Sequence, residues 1–118
     1  MSPQLSDALR NCADHCTRCH VVCIETIAHG LTLSSCHRES PLIRAMLDCA
    51  TICETCASLI SRRSPFHQAA CAVCAEACLV CADECERMGT GDPRMRRCAE
   101  ICRACATACQ EACLLVAV

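Results

Sequence analysis

The feature of this sequence that most restricts its fold is the spacing of the cysteines, which follow one another at steps of three and four residues. Because an α-helix turns once every 3.6 residues, such steps place side chains on one helical face. Seventeen of the 18 cysteines fall into four runs of this kind. The runs are Cys12, Cys16, Cys19 and Cys23; Cys49, Cys53 and Cys56; Cys71, Cys74, Cys78, Cys81 and Cys85; and Cys98, Cys102, Cys105, Cys109 and Cys113. Leu, Met and Ile extend the same faces at their ends, so we expect these thiols to face a buried core.

Proline dipeptides mark where the helices that carry these runs begin. Every proline follows Ser or Asp: Ser2-Pro3, Ser40-Pro41, Ser64-Pro65 and Asp92-Pro93. Ser and Asp are favoured N-caps, and Pro is favoured at the first helical position. Glycines follow two of the periodic segments, as helix ends prefer: Gly30, Gly89 and Gly91. The sequence therefore predicts helices at about 3–29, 41–62, 65–88 and 93–116 within a single domain, residues 1–118.

Short connections between long helices favour antiparallel neighbours. Only residues 30–40 form a longer connection, and Cys36 falls within it, outside the helical pattern. The predicted fold is all-α, an antiparallel up-down-up-down four-helix bundle with a cysteine-lined core.

The compartment decides what so many cysteines can do. A cysteine content of 18 in 118 residues would indicate a disulfide scaffold in a secreted chain. The start MSPQLSDALR has no basic segment followed by an apolar run, and no apolar stretch is long enough to span a bilayer. We therefore expect a cytoplasmic protein with reduced thiols. Its 11 basic residues are scattered arginines, with no Trp or Tyr, which argues against a nucleic-acid partner.

Packing, disulfides and metal binding are three uses for such a core. Leu, Ile or Val would pack a bundle better than cysteine, whose small side chain buries less apolar area. Disulfides fit poorly because helix axes lie about 8–10 Å apart, whereas bridged Cα atoms are usually within about 7 Å. A thiol redox buffer without metal remains an alternative, and metal binding is favoured.

The candidate metals differ in the net charge that their thiolate sites would leave in the core. Four thiolates around Zn²⁺ leave about −2 per site, and several such sites in one dry core would be costly. Iron–sulfur clusters favour cysteines on loops, although spacings such as Cys71-Cys74-Cys78-Cys81 leave an electron-transfer protein as a rival hypothesis. Cu(I) selects soft sulfur ligands, and one Cu⁺ in place of each thiol proton keeps the interior neutral. We expect cuprous storage at roughly one ion per cysteine, about 15–20 per chain, without catalysis.

The two ends of the predicted bundle differ in composition. One end collects Met46, Met88 and Met95 beside Cys36 and His37 of the longer connection. The opposite end collects an apolar plug of Leu5, Leu9, Ile60, Phe66 and Leu114. The thioethers either mark the mouth through which copper arrives or fill gaps in the core. His67 lies on the cysteine-bearing face of the third helix, where its ring either completes a copper site or packs against neighbouring side chains.

With four helical faces that carry cysteines in this way, the chain resembles the bacterial copper storage proteins. The resemblance covers nearly the whole sequence through C-x-x-x-C-x-x-C runs at Cys12-Cys16-Cys19, Cys49-Cys53-Cys56, Cys74-Cys78-Cys81 and Cys98-Cys102-Cys105. It implies a four-helix bundle that binds many Cu(I) ions on its core cysteines, commonly as a tetramer. Some members of that family are exported, and others lack a signal and stay in the cytosol. This chain resembles the cytosolic members.

Overall fold

The computed structural model of the chain describes residues 3–33 and 40–114, with side chains from Ser6 onward. Four α-helices account for nearly all of these residues: α1 at Pro3–Gly30, α2 at Pro41–Ser61, α3 at His67–Met88 and α4 at Pro93–Leu114. No strand occurs in the described ranges, and the predicted all-α bundle is confirmed.

Two helices begin as the sequence predicts. The hydroxyl of Ser40 accepts a hydrogen bond from the backbone N–H of Ile43 at 3.2 Å, with Pro41 in the first turn. The carboxylate of Asp92 accepts from the N–H groups of Arg94 at 2.9 Å and Met95 at 3.3 Å. Both caps satisfy N–H groups that have no partner within the helix.

The start of α3 was predicted two residues too early. Ser64 opens a turn through Pro65 and Phe66, in which the Ser64 carbonyl accepts from the N–H of His67 at 3.1 Å. Proline at the second position of a β-turn is as favourable as proline in a first helical turn, because both need the same φ. Ser64-Pro65 is therefore compatible with a helix that begins at Pro65 and with a β-turn before the helix, and the structure contains the β-turn.

Gly30 closes α1 for a different reason than the one expected. It is the last residue of the helix and is buried. A Cβ atom at this position would lie 3.1 Å from Cδ1 of Ile43 and 3.3 Å from Cε of Met95. The missing side chain thus permits close packing against α2 and α4.

The four helices form a square in which α1 and α3 each pack against α2 and α4. Contacts between sulfur atoms fix the helix directions. Cys12, early in α1, lies near Cys71 at the start of α3 and near Cys109 late in α4, whereas Cys23 lies near Cys98 at the start of α4. The up-down-up-down order follows, in a rod of 51 × 20 × 17 Å. Within residues 3–33 and 40–114, no helix has the length and apolarity needed to cross a membrane.

The predicted apolar plug forms only in part. Leu9 and Ile60 are buried, at 4% and 5% exposure, but Phe66 is 70% exposed and Leu114 is 81% exposed. Phe66 precedes the first turn of α3, so its ring lies on the outside of the bundle, in a groove that Ile52 also lines. The side chain of Leu5 lies outside the described residues.

Candidate metal centre

Sixteen of the seventeen described cysteines are buried, each at most 1% exposed. All sixteen lie on the helical faces predicted from the cysteine spacing, because residues in a heptad-like pattern are on the side of each helix that faces the common axis. The described residues hold only two buried polar side chains, Thr26 and Ser40, and no buried charged one. The interior of the bundle is therefore a column of thiols, extended by alanine and a few larger apolar side chains. Cys36 and His37 lie outside the described residues.

Cys113 differs from the other sixteen, because it is only partly buried. The step from Cys109 to Cys113 is four residues, and Ala112, at a step of three, takes the core position with 0% exposure. The Cys113 thiol donates to the carbonyl of Gln68 at 3.5 Å, and the Gln68 amide donates to the Cys113 carbonyl at 2.8 Å. Cys113 therefore lies at the seam between α3 and α4, not on the bundle axis as predicted.

The sulfur atoms of different helices approach one another closely. Separations include 3.5 Å for Cys12 and Cys109, and 3.7 Å for Cys16 and Cys74. A disulfide needs about 2.05 Å, and all seventeen described cysteines are free. Two sulfurs that share one metal ion through bonds of about 2.3 Å lie about 3.8–4.6 Å apart, depending on the angle. The observed separations approach those of shared metal ligands and are far from those of disulfides.

Five groups of four buried thiols follow one another along the axis, with all sulfurs in a group within 4.8 Å of one another. The groups are Cys12, Cys16, Cys56 and Cys109; Cys16, Cys74, Cys105 and Cys109; Cys19, Cys53, Cys78 and Cys105; Cys19, Cys23, Cys49 and Cys102; and Cys23, Cys81, Cys98 and Cys102. Each group shares at least one thiol with the next. The site is therefore a continuous sulfur column, in which one thiolate can bridge two metal ions.

Hydrogen bonds between thiols shift their pKa values in both directions. The hydrogen bond with Cys109 lowers the pKa of Cys12, and the hydrogen bond with Cys102 lowers that of Cys19. The hydrogen bond with Cys105, reinforced by burial, raises the pKa of Cys78. A thiolate is stabilised by a neighbouring S–H donor, whereas several thiolates side by side in an apolar core repel one another. Full ionisation of the column therefore needs bound cations.

Methionines close one end of the column. Met46 and Met95 are 0% and 1% exposed, and each stands three residues before a core cysteine, Cys49 and Cys98. A Cβ built at Gly30 would have the terminal methyl groups of both within 4 Å. Met88 also lies at this end, but its side chain is 48% exposed. The thioethers of Met46 and Met95 are therefore buried at this end of the bundle, and thioether sulfur is a soft donor of the kind that Cu(I) selects.

The described histidines make different contacts. Nδ1 of His20 lies 2.8 Å from the carbonyl of Ala50, and Nε2 of His29 lies 2.8 Å from the carboxylate of Asp92. Nδ1 of His67 lies 2.9 Å from the carbonyl of Ser64, while its Nε2 is buried without a hydrogen-bond partner among the described residues. Neither the His29–Asp92 pair nor the Gln68–Cys113 contact could be predicted from the sequence, because both join residues far apart in the chain.

Comparisons with known proteins agree with this geometry. The profile of the copper storage protein family, Csp, matches residues 5–114. A Streptomyces lividans protein described as a cytosolic copper storage protein, in a structure with five coppers, is 30% identical with a TM-score of 0.91, covering 98% of this chain and 100% of that one.

Two further structures support the match. The Streptomyces lividans copper storage protein Ccsp loaded with 10 copper equivalents is 32% identical with a TM-score of 0.85, covering 91% of this chain and 84% of that one. The Cu(I)-bound copper storage protein BsCsp3 is 31% identical with a TM-score of 0.79, covering 88% of this chain and 96% of that one. A search of curated proteins gave no significant match. With a family profile that spans nearly the whole chain and a closely superposing fold, the chain belongs to the copper storage protein family.

Proposed function

We propose that this chain stores Cu(I) ions, many per molecule, on thiolates inside the helix bundle. The observation that carries the proposal is the continuous sulfur column, in which five successive groups of four thiols share members. A column of this kind suits an ion that accepts two or three soft ligands and tolerates bridging. Cu(I) selects thiolates and thioethers, whereas isolated tetrahedral sites suit zinc.

Charge favours the same ion. Each Cu⁺ that replaces a thiol proton leaves the interior neutral, so the number of stored ions is limited by sulfur atoms and not by repulsion. At roughly one ion per thiolate, the capacity is about 15–20 ions per chain. Uptake releases one proton for each thiol that becomes a ligand.

The proposed ligands are the sixteen buried cysteines, with Cys113 at the rim of the column and Cys36 as a further thiol. Met46 and Met95 are proposed as auxiliary thioether ligands, and His67 as an imidazole ligand at the other end. Met88 and His37 are proposed as outer contacts for arriving copper. Storage of this kind needs binding alone and no catalytic turnover.

We place this storage in the cytoplasm, where thiols stay reduced and able to bind metal. The Streptomyces lividans relative is described as cytosolic, which supports the placement.

The proposed assembly is a homo-oligomer, a tetramer by the family resemblance. An apolar outer surface along α2 and α3 supports it: Phe66 is 70% exposed, and Val73 and Val80 are each 51% exposed. Exposed apolar patches of this kind mark contacts between proteins. Light scattering on the purified protein tests the assembly. Val73→Glu with Val80→Glu should yield monomers, and the solvent-facing change Thr107→Glu on α4 should leave the mass unchanged.

Anaerobic titration of the fully reduced protein with Cu(I) against a competing chelator tests the storage proposal. We expect tight uptake of about one ion per cysteine, without visible d–d absorption. Saturation at one or two ions would end the proposal. A brown product after reconstitution with iron and sulfide, together with weak copper uptake, would favour the electron-transfer alternative instead.

A further inference from the structure

We propose that the groove between the end of α1 and the start of α4 binds the carboxylate of a small anionic thiol that carries Cu(I), with the guanidinium groups of Arg94 and Arg97 as its partners. This inference rests on the storage function proposed above and concerns the chemical form in which copper reaches the protein. The residues that line the groove carry no sulfur, so the site is one for the carrier and not for the ion.

The groove lies on the seam between two helices. Val22, Glu25 and Thr26 of α1 and Arg94 and Arg97 of α4 line it, and its volume is about 290 Å³. Val22 and Thr26 are buried at its base, whereas both arginines are exposed. The hydroxyl of Thr26 donates to the Val22 carbonyl at 2.6 Å, so the guanidinium groups are the donors left for a ligand. This volume is near the lower limit of small-molecule pockets, and it suits a carboxylate on a short chain better than a protein surface.

The charges in the groove favour an anion. Arg94 and Arg97 stand three residues apart on α4, so their side chains lie on the same face of the helix. Neither forms an ion pair with a described residue, whereas Arg103, further along α4, pairs with two carboxylates. Glu25 supplies the only carboxylate among the lining residues, so the two guanidinium groups leave an excess of positive charge. A guanidinium group can bind a carboxylate through two parallel N–H donors.

The groove lies beside the methionine end of the sulfur column. Thr26 stands four residues before the last residue of α1, which is about 6 Å along the helix axis. Arg94 directly precedes the buried Met95. On the inner side of the same seam, the sulfur atoms of Cys23 and Cys98 lie 4.0 Å apart and belong to one group of four thiols. A carrier held in the groove is therefore close to this end of the column.

The carrier is anionic because of how Cu(I) binds thiols. In the cytoplasm proposed for this chain, small thiols stay reduced and are soft ligands for Cu(I). Two thiolates around one Cu⁺ leave a net negative charge, and any carboxylate on the thiol adds to it. The chain has a net charge of −2, so the protein as a whole repels such a carrier. A local excess of positive charge offsets this repulsion and raises the rate of productive encounters.

Delivery from the carrier leaves copper in the cuprous state. One thiol of the column gives its proton to one carrier thiolate and binds Cu⁺ in place of that proton. The protonated carrier thiol departs, and the second carrier thiolate leaves with the remaining negative charge. Protons and charge are therefore conserved in the exchange. Arg94 and Arg97 take no part in these bond changes, because their role is to hold the carrier while its thiolates are replaced.

Two carriers of opposite charge test this site. Mercaptopropionate and cysteamine are thiols of similar length that end in a carboxylate and an ammonium group. Each is supplied anaerobically as its Cu(I) complex to the reduced full-length protein, and copper not yet taken up is trapped at intervals with bicinchoninate and measured by colour. The test variant is Arg94→Glu with Arg97→Glu. The matched control is Arg10→Glu with Arg63→Glu, which makes the same charge change in a groove at the opposite end of the bundle.

We expect the test variant to take copper from mercaptopropionate roughly tenfold more slowly than the wild type at low salt, because the attraction for the carboxylate is reversed. Its uptake from cysteamine should be at least as fast as that of the wild type. The control variant should stay within about twofold of the wild-type rate with both carriers, since its charges lie far from the groove. For the wild type, added salt should slow uptake from mercaptopropionate and not from cysteamine.

A wild-type rate of the test variant with mercaptopropionate overturns the proposal, as does equal slowing with both carriers or equal slowing by the control variant. Arg94→Gln with Arg97→Gln should slow uptake from mercaptopropionate to a smaller extent. This variant and the salt dependence of the wild type decide the question if circular dichroism shows that the charge-reversed protein is not folded. Failure of the storage function would appear differently, as a wild-type capacity of only one or two ions in the equilibrium titration.

Discussion

The sulfur atoms of Cys12 and Cys109 lie 3.5 Å apart, although 97 positions separate the two residues in the chain. This contact joins α1 to α4 and places Cys109 in two successive groups of four thiols. Such a contact gives little stability, because S–H is a weak donor and sulfur a weak acceptor. Its consequence is functional, since it brings ligands from distant segments within bridging distance of one ion.

The first prediction concerns this shared ligand. Cys109→Ala should lower the copper capacity by about one ion, because a bridging thiolate is lost, while the free energy of unfolding of the apo protein changes by only about 1 kcal/mol. Anaerobic Cu(I) titration and urea denaturation measure the two effects. Thr107→Ala, exposed on the same helix, is the control and should alter neither. Full capacity in Cys109→Ala would contradict the bridging role.

The second prediction concerns the cap of α4. Asp92→Ala should lower the free energy of unfolding by about 1 kcal/mol, because the N–H groups of Arg94 and Met95 lose their acceptor. Asp92→Asn keeps a capping oxygen and loses only the charge that faces His29 at 2.8 Å. Denaturant unfolding of the apo protein at neutral pH should therefore rank wild type, Asn and Ala in decreasing order. An Asn variant less stable than the Ala variant would contradict the capping role.

The same residue yields a third prediction, on pH. The hydrogen bond from His29 lowers the pKa of Asp92 below its ordinary value of 3.8. A lowered carboxyl pKa stabilises the folded state at pH values above the ordinary one, and this stabilisation is lost as the pH falls through the lowered folded-state value. The stability difference between wild type and Asp92→Asn should therefore be present at pH 6 and shrink below about pH 4. A difference that grows on acidification would show that the pair does not act in this way.

The fourth prediction uses backbone geometry at the end of α2. Arg63 has φ of 55°, and the N–H of Ser64 donates to the carbonyl of Leu59 at 2.9 Å. This is the helix-ending arrangement that glycine normally occupies. Arg63→Gly should stabilise the protein by about 0.5–1 kcal/mol, because the left-handed conformation is costly for residues with a Cβ. Arg62→Gly, at φ of −96°, is the matched control and should destabilise it. A rise in melting temperature for Arg62→Gly and a fall for Arg63→Gly would contradict the assignment.

The fold could be predicted because its signal is repeated along each helix. The steps of three and four residues between Cys49, Cys53 and Cys56 define one face of α2, whichever helices pack against it. The cap of α2 is also local, because Ser40 accepts its hydrogen bond from Ile43, only three residues further along the chain. A feature that depends on a single turn is harder to predict, because the same residues suit more than one backbone conformation. Ser64-Pro65 suits a helix start and a β-turn equally, so α3 was placed two residues early.

The candidate site was predictable at the level of residue type and less so at its ends. The sixteen buried cysteines were expected, but Cys113 was expected to face the axis, and the step of four from Cys109 gave the only sign that it does not. Phe66 and Leu114 were assigned to a plug because they are apolar, although each is largely exposed. Residues at the last turn of a helix lack neighbours on one side, so hydrophobicity alone does not decide their burial.

The sequence by itself determined which residues share the buried face of each helix, since helical periodicity is a local property that each segment carries alone. Tertiary structure decided how deeply each thiol is buried and which thiols form a group. Those outcomes depend on contacts such as Gln68 with Cys113 and Met95 with Gly30, which form only after the helices pack. Four copies of one periodic pattern specify four cysteine-lined helical faces, and the packing of the helices then decides which thiols lie close enough to share an ion.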